Sequence, residues 1–187
     1  LSGAIVLPSN VSLTGKGKAT QLFVARNSNN AAIVNSDPVN GNKGIILDDF
    51  RIYGNKLSQN SGSNIYFRRV TDSVLSNLEI RESRNSGVDI LAGSNGNTLK
   101  NLQISHSDHN GLVISESHNN RVSRLLTENN GNSGLWIFNG EQNTLSQIYT
   151  FGNKYSGIEI EASNNTLTDI ISANNNHSGV YLTKASV

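Results

Sequence analysis

The chain has 187 residues, 16% of them charged, and its formal net charge is +1 at pH 7. This balance excludes the basic footprint of a nucleic-acid-binding protein and a polybasic membrane patch, so we expect neither partner. The chain has no cysteine, which excludes disulfides, thiolate metal sites and cysteine nucleophiles. No apolar run approaches the roughly 18 residues of a membrane-spanning helix, so no membrane insertion is expected.

The first part of the chain has an irregular pattern. Residues 45–54 alternate like a strand, with Leu47, Phe50 and Ile52 predicted to point inward. Segments rich in Asn, Gly and Ser are predicted loops at residues 27–30, 37–44 and 55–63. We therefore predict irregular N-terminal coils with loops over residues 1–63.

A repeat of about 23 residues is clear from Asn64 onward. Five glycines, spaced 24, 23, 23 and 22 residues apart, each open a short run of alternating apolar residues: Gly87, Gly111, Gly134, Gly157 and Gly179. A second apolar run in each repeat begins beside an asparagine: Asn97, Asn120, Asn143 and Asn165. Such alternation is typical of strands with one buried face. We predict regular coils over residues 64–187.

The repeat length decides between repeat architectures. A leucine-rich repeat would need a helical segment with a period of 3.6, and a propeller blade would need about 40 residues. Coils of 22–24 residues without a helix predict an all-β fold, a right-handed parallel β-helix forming one domain over residues 1–187. Like residues then stack in ladders along its corners, one of them Ser83, Ser107, Asn130, Asn153 and Asn175. The chain starts at Leu1 without a Met, and both ends lack a capping element, so we expect a piece of a longer chain.

Several segments resemble a known superfamily. The opening Gly3-Ala-Ile-Val-Leu-Pro-Ser-Asn-Val-Ser-Leu-Thr-Gly-Lys-Gly is similar to the start of pectate-lyase-like β-helix proteins. Ile52-Tyr-Gly-Asn-Lys, Leu78-Glu-Ile-Arg-Glu and Ser86-Gly-Val-Asp resemble mannuronan C-5-epimerases. In that family a Gly-Phe-Asp-Pro-His strand carries the catalytic Asp and His. Asp89 aligns with the catalytic Asp of this motif. The rest of the motif is incomplete, because Ile90 and Leu91 replace the Pro and His, and Ser86 replaces a Tyr of the family.

The resemblance implies an enzyme that acts on an acidic, uronate polysaccharide such as alginate, as an epimerase or a lyase. Both reactions remove the C-5 proton of a uronate, which needs a base and a cation or proton donor beside the carboxylate. Tyr66 and Asp89 are predicted neighbours one coil apart, with Arg68 on the adjacent diagonal. We predict these three as the catalytic residues, with a solvated Arg–Asp pair as the structural alternative.

Further outward residues are predicted to bind substrate. Trp136 and Phe138 offer a platform on which sugar rings stack, and an interface with another chain is the alternative. Glu159 and Glu161 lie beside them and could serve a glycosidase or hold Ca²⁺, with solvated surface as the alternative. The edge of the same face is predicted to carry His109, Lys154 and Tyr155, together with His177. No cofactor is certain, although Ca²⁺ is possible, and the four histidines do not predict a metal site.

The second strand of each coil carries an unusual outward stripe. Its apolar residues are Leu126, Tyr149, Phe151 and Ile171, and we expect them to form an interface, for example in self-association.

Two functional classes stay open at this point. The first is a polysaccharide epimerase or lyase that is secreted or lies on a cell or virion surface. The second is a glycan-binding or structural solenoid without catalysis, such as a tailspike, an adhesin or a degenerate epimerase relative.

Overall fold

The computed structural model describes residues 1–183, which form short strands and one three-residue 3₁₀ helix, Lys56–Ser58. The strands are β1 (Ile5–Leu7), β2 (Ser12–Thr14), β3 (Gln21–Phe23), β4 (Ile33–Asn35), β5 (Asn42–Lys43), β6 (Ile46–Tyr53), β7 (Ile65–Arg68), β8 (Val70–Thr71), β9 (Val74–Arg81), β10 (Val88–Leu91), β11 (Thr98–Ser105), β12 (Leu112–Ser115), β13 (Arg121–Glu128), β14 (Leu135–Phe138), β15 (Thr144–Phe151), β16 (Ile158–Glu161), β17 (Thr166–Ala173) and β18 (Val180–Thr183).

The strands build two large parallel sheets. The short-strand sheet has the order β1-β4-β7-β10-β12-β14-β16-β18, and the long-strand sheet has the order β17-β15-β13-β11-β9-β6-β2, with β3 also on β6. From β9 onward, consecutive strands alternate between the two sheets, and each pairs with the strand one repeat away. The chain therefore winds as a parallel β-helix, and the predicted fold is confirmed.

The short-strand sheet extends into the irregular N-terminal part. Ile5 pairs with Ile33, and Ile33 pairs with Ile65, so these coils are 28 and 32 residues long. The extra residues lie in loops, one of which contains the 3₁₀ helix and another the short strand β5. The irregular spacing of this region thus reflects longer loops on the same solenoid.

Each long strand bends at its fourth residue, which has a positive φ. Asn77 (φ 54°) and Asn101 (φ 55°) occupy this position in β9 and β11, and Arg124 occupies it in β13. The bent residue is skipped in the pairing register, so inward side chains are three apart across the bend. This explains why Leu99 and Leu102 are both fully buried although strict alternation separates inward residues by two.

The inward residues of both sheets form one continuous hydrophobic core. Phe67, Ile90, Ile114 and Ile137 are fully buried beneath successive short strands. Burying an aliphatic side chain of this size stabilises the fold by roughly 1.5–3 kcal/mol. Because each coil contributes the same inward positions, this stabilisation is spread along the whole solenoid.

Two ladders of buried polar side chains run along the corners. In one ladder the amide oxygens of Asn120, Asn143 and Asn165 each accept the backbone N–H of the preceding coil's asparagine at 2.9 Å. The predicted second ladder is confirmed from Ser107 onward, because the Ser107 N–H donates to Asn130 at 3.0 Å and the pattern continues through the later coils. The ladders satisfy corner N–H groups that the turns leave without a strand partner.

The apolar stripe lies where the sequence placed it. Leu126, Tyr149 and Ile171 are register partners on the long-strand sheet, and Phe151 lies in the adjacent column. Tyr149 is 37% exposed and Ile171 is 52% exposed. Association of two copies through this stripe stays a prediction.

Within residues 1–183, no helix has the length and apolar character to cross a membrane.

Candidate functional site

The outer face of the short-strand sheet carries the two columns of side chains that the sequence predicts. The pairing register sets the first column as Tyr66, Asp89, Val113, Trp136, Glu159 and Tyr181, and the second as Arg68, Leu91, Ser115, Phe138, Glu161 and Thr183. The face is not exposed along its whole length. Asp89 is only 9% exposed and Val113 only 4% exposed.

Two serines hold the Asp89 carboxyl, and each lies just before a short strand: Ser63 before β7 and Ser86 before β10. The Ser63 hydroxyl donates to Oδ2 of Asp89 at 2.5 Å. Ser86, three residues before Asp89, also hydrogen-bonds the carboxyl. Both serines are buried. The carboxyl is therefore fixed in position from the preceding coil and from its own coil.

Burial raises the pKa of Asp89 above the ordinary carboxyl value. The hydrogen bonds from Ser63 and Ser86 and the nearby charge of His109 lower this pKa, but burial outweighs them. The exposed His109 thus lies close enough to Asp89 to interact with its charge. Raised carboxyl pKa values are typical of groups that exchange protons with a substrate.

The three predicted catalytic residues are brought together only in part. Tyr66 is the register partner of Asp89, as predicted, and is half-buried. Arg68 pairs with Leu91, is exposed, and its side chain forms no ion pair within residues 1–183. Sequence reasoning missed Ser63 and Ser86 as partners of the carboxyl. For Ser86 the available signal was a serine directly before the glycine that opens a short strand, which recurs at Ser133 and Ser156.

The raised pKa of Asp89 predicts a pH-dependent stability. The contribution of the buried carboxyl is fully present below the ordinary carboxyl pKa, about 4, and is lost as pH rises through the raised pKa. In the Asp89→Asn variant the side chain at this position is neutral at every pH, so the free energy of unfolding does not fall in this way as pH rises. The stability of Asp89→Asn relative to the wild type is therefore expected to increase across that window, measured by urea unfolding at a series of pH values. A difference that stays constant with pH contradicts the prediction.

Trp136 and Phe138 form a tilted aromatic pair on the C-terminal half of the face. Their ring centroids are 5.5 Å apart and their planes make an angle of 34°. The indole N–H of Trp136 donates to Glu161 at 2.9 Å, and the Ser133 hydroxyl donates to Glu159 at 2.7 Å. All four predicted binding residues are half-buried. They form one cluster of two rings and two carboxylates.

The edge of the face carries a second aromatic group. Tyr155 stacks on His177 with centroids 4.5 Å apart, and His177 meets the edge of Tyr181 at 5.6 Å. Nδ1 of His177 also lies within hydrogen-bond distance of two serine hydroxyls. Lys154 and His109 are exposed along the same edge, as predicted. The aromatic surface on the last coils is thus larger than the Trp136 and Phe138 pair.

Comparison with family models decides the family. Residues 20–147 and 72–187 match the model described as the right-handed beta helix region. The chain belongs to this family. The predicted right-handed parallel β-helix is therefore confirmed, while no curated protein matches the chain by sequence.

Solved structures show the same fold in proteins of different roles. The bacteriophage phi29 gene product 12 matches 96% of this chain and 28% of its own, with a TM-score of 0.80 and 18% identity. The periplasmic alginate epimerase AlgG matches 84% of this chain and 42% of its own, with a TM-score of 0.67 and 16% identity. The A-module of the Azotobacter vinelandii mannuronan C-5 epimerase AlgE4 matches 92% and 64%, with a TM-score of 0.63 and 16% identity. The chain spans less than two thirds of each of these proteins, and identities this low show a shared fold.

The β-helix also has a depression of about 260 Å³ on its long-strand side, away from the predicted site. Its floor contains Glu79, which pairs with Arg51 at 2.8 Å, Arg81 at 2.5 Å and Lys18 at 3.5 Å. Burial raises the pKa of Glu79, but the hydrogen bond from Arg51 and the three positive charges outweigh it and hold that pKa below its ordinary value. The cluster neutralises a buried carboxylate, and the candidate site stays on the short-strand face.

Metal binding by the paired glutamates gains no support from the geometry. In the part of the chain that the structure describes, no group of three or more His, Asp or Glu side chains is placed to hold a metal ion. Glu159 and Glu161 each use one oxygen to accept a hydrogen bond from the protein. The two side chains are better suited to accept hydrogen bonds from a ligand with the oxygens that remain.

Proposed function

We propose that this β-helix protein binds an acidic polysaccharide along the short-strand face and acts on a uronate residue at Asp89. The observation that carries the proposal is the buried Asp89 carboxyl, which Ser63 holds in place and whose pKa burial raises. Its register partner Tyr66 adds a second group that can exchange a proton. The face on which they lie runs through every coil, as a polymeric substrate requires.

The chemistry follows from the acidity of the uronate C-5 proton. Asp89, with His109, would remove that proton, and Arg68 would neutralise the substrate carboxylate, which stabilises the carbanion-like intermediate. Return of a proton to the opposite ring face, with Tyr66 as donor, completes an epimerisation. In a β-elimination the C-4 oxygen instead leaves with the rest of the polymer and takes a proton from Tyr66, while a double bond forms between C-4 and C-5. The two outcomes differ only in the last step, so one site serves for both.

The relatives in fold support this substrate class and an extracellular location. Two of the solved structures are an alginate epimerase and a mannuronan C-5 epimerase by name, and the first is periplasmic. Another is a bacteriophage protein. We accordingly propose that the chain is a secreted or surface protein.

The second candidate function is glycan binding without catalysis. A hydrogen bond from a serine to a carboxylate 26 residues later occurs twice, from Ser63 to Asp89 and from Ser133 to Glu159. This recurrence favours the second candidate. A serine–carboxyl contact that recurs along the solenoid has a structural reason that needs no reaction. The aromatic cluster around Trp136 would then be the main binding surface.

Incubation with uronate polymers tests the proposed function. The protein is mixed with polymannuronate, mixed alginate and polygalacturonate, with and without Ca²⁺. Ultraviolet absorbance of unsaturated products reports β-elimination, and proton NMR in heavy water reports exchange at C-5. A signal in either measurement supports the enzyme, whereas folded protein that gives neither supports the binding solenoid.

A further inference from the structure

We propose that the C-terminal half of the short-strand face binds uncharged sugar rings, so that the preferred ligand is a heteropolysaccharide in which neutral sugars follow the uronate. This inference rests on the proposed function for the uronate at Asp89 and adds the class of sugar beyond it. It is carried by the distribution of charge along the face and by the hydrogen bonds of the glutamates.

Charge changes sign along the axis of the face. Arg68 is exposed on the coil before Asp89. Glu116, directly after β12, is exposed, and Glu159 and Glu161 are half-buried two coils farther on. A polymer of uronates would meet favourable charge at the first coil and repulsion at the later ones. The uronate position is therefore confined to the end of the face near Arg68.

Lys154 is the cation nearest in sequence to the glutamates, and it lies on a different column. It follows the corner at Gly152 and is exposed at the edge of the face, whereas the glutamates project from β16. Its side chain forms no ion pair with either glutamate within residues 1–183. The two carboxylates therefore keep their negative charge facing the ligand surface.

The glutamates are arranged to accept hydrogen bonds from hydroxyl groups. One oxygen of Glu161 accepts the Trp136 N–H, and one oxygen of Glu159 accepts the Ser133 hydroxyl. The second oxygen of each has no hydrogen bond in the described part of the chain. A sugar ring stacked on Trp136 would donate its hydroxyls to these oxygens. A uronate carboxylate has no proton to give and would be repelled.

The two halves of the face are spaced for successive sugars of one chain. Asp89 pairs with Val113, and Val113 pairs with Trp136, so two strand spacings separate the proton-transfer site from the aromatic pair. This distance is about 10 Å, which a disaccharide unit spans when the polymer runs along the axis. Tyr155, His177 and Tyr181 continue the aromatic surface onto the last coils. A short run of neutral sugars would cover it.

The experiment removes the charge of the glutamates and keeps their hydrogen bonds. The double variant Glu159→Gln with Glu161→Gln retains an amide oxygen for Ser133 and for Trp136. Its matched control, Glu128→Gln with Asp169→Asn, removes two negative charges from the long-strand side. Affinity is measured by calorimetry at low salt for three probes of similar length: oligogalacturonate, cello-oligosaccharide and oligosaccharides of deacylated gellan, in which neutral sugars separate the glucuronates.

The wild type is expected to bind the gellan oligosaccharide more tightly than oligogalacturonate. The glutamine double variant is expected to bind oligogalacturonate about 3-fold or more tightly than the wild type, and the control to bind it unchanged. Trp136→Ala is expected to weaken cello-oligosaccharide binding about 10-fold. Equal affinity for oligogalacturonate and the gellan fragment, unaltered in the glutamine variant, overturns the inference and leaves the proposed function standing.

Failure of the proposed function gives a different result. The protein would then bind cello-oligosaccharide through Trp136 and gain nothing from the glucuronate in the gellan fragment. Absence of binding to all three probes overturns this inference, whereas the proposed function is decided by the incubation with alginate. Circular dichroism of each variant confirms that the β-helix is folded before affinities are compared.

Discussion

Replacing Asn120 by alanine is expected to lower the free energy of unfolding by about 3 kcal/mol. Asn120 is fully buried, and its amide oxygen accepts the backbone N–H of Asn97 at 2.9 Å and the Asn97 side chain at 3.1 Å. Its own side-chain nitrogen donates to Asn143 at 3.1 Å. Alanine leaves the Asn97 N–H without an acceptor where water has no access, and each such group costs roughly 1–3 kcal/mol.

The measurement is urea unfolding followed by circular dichroism, comparing the midpoints at equal slope. Asn132→Ala is the matched control, because the Asn132 side chain is exposed and forms no hydrogen bond in the described structure. The control is expected to unfold within about 0.5 kcal/mol of the wild type. If Asn120→Ala unfolds at the same midpoint as the control, the ladder does not stabilise the coils as we describe.

Asp89→Asn is expected to reduce turnover of a uronate polymer by about 10²–10⁴-fold, the range typical of a lost acid–base group. Asparagine has nearly the shape of aspartate and can still accept hydrogen bonds from Ser63 and Ser86, so the site should keep its geometry. The amide cannot take up the C-5 proton. Initial rates, measured by product absorbance and by proton exchange, provide the comparison.

Asp169→Asn serves as the control for that experiment. Asp169 is exposed on the long-strand sheet, and asparagine suits its positive φ of 54°. The control is expected to keep wild-type turnover. An Asp89→Asn protein that is folded and as active as the control would show that Asp89 is a structural carboxyl, held by serine like Glu159.

The repeat made the fold predictable, because every coil has the same pattern of inward and outward residues. In β9, Leu75 and Leu78 both point inward three residues apart, and both are buried. The reason for this spacing, the positive φ of Asn77 between them, cannot be deduced from the apolar pattern. Asparagine tolerates this conformation better than most residues, but Arg124 adopts it as well, so its position follows from the stacking of coils.

The depth of the candidate site was not predictable in the same way. Alternation correctly places Asp89 on the outward side of its strand, yet the side chain is buried. Ser63 from the preceding coil contacts the carboxyl. A pattern along one strand does not indicate how far neighbouring coils bury a side chain. For the same reason, the effect of the His109 charge on the pKa of Asp89 became visible only in three dimensions.

The uniform stacking of the coils makes each coil an interchangeable unit. Because β12 pairs with β14 in the same register in which β10 pairs with β12, a duplicated copy of residues 112–134 would find matching partners on both sides. Such a duplication lengthens the outer face by one strand spacing, about 4.8 Å, and moves the aromatic surface away from Asp89 by that amount. Inward residues and ladders thus stabilise the scaffold, while the number of coils between Asp89 and Trp136 sets the distance between these two side chains.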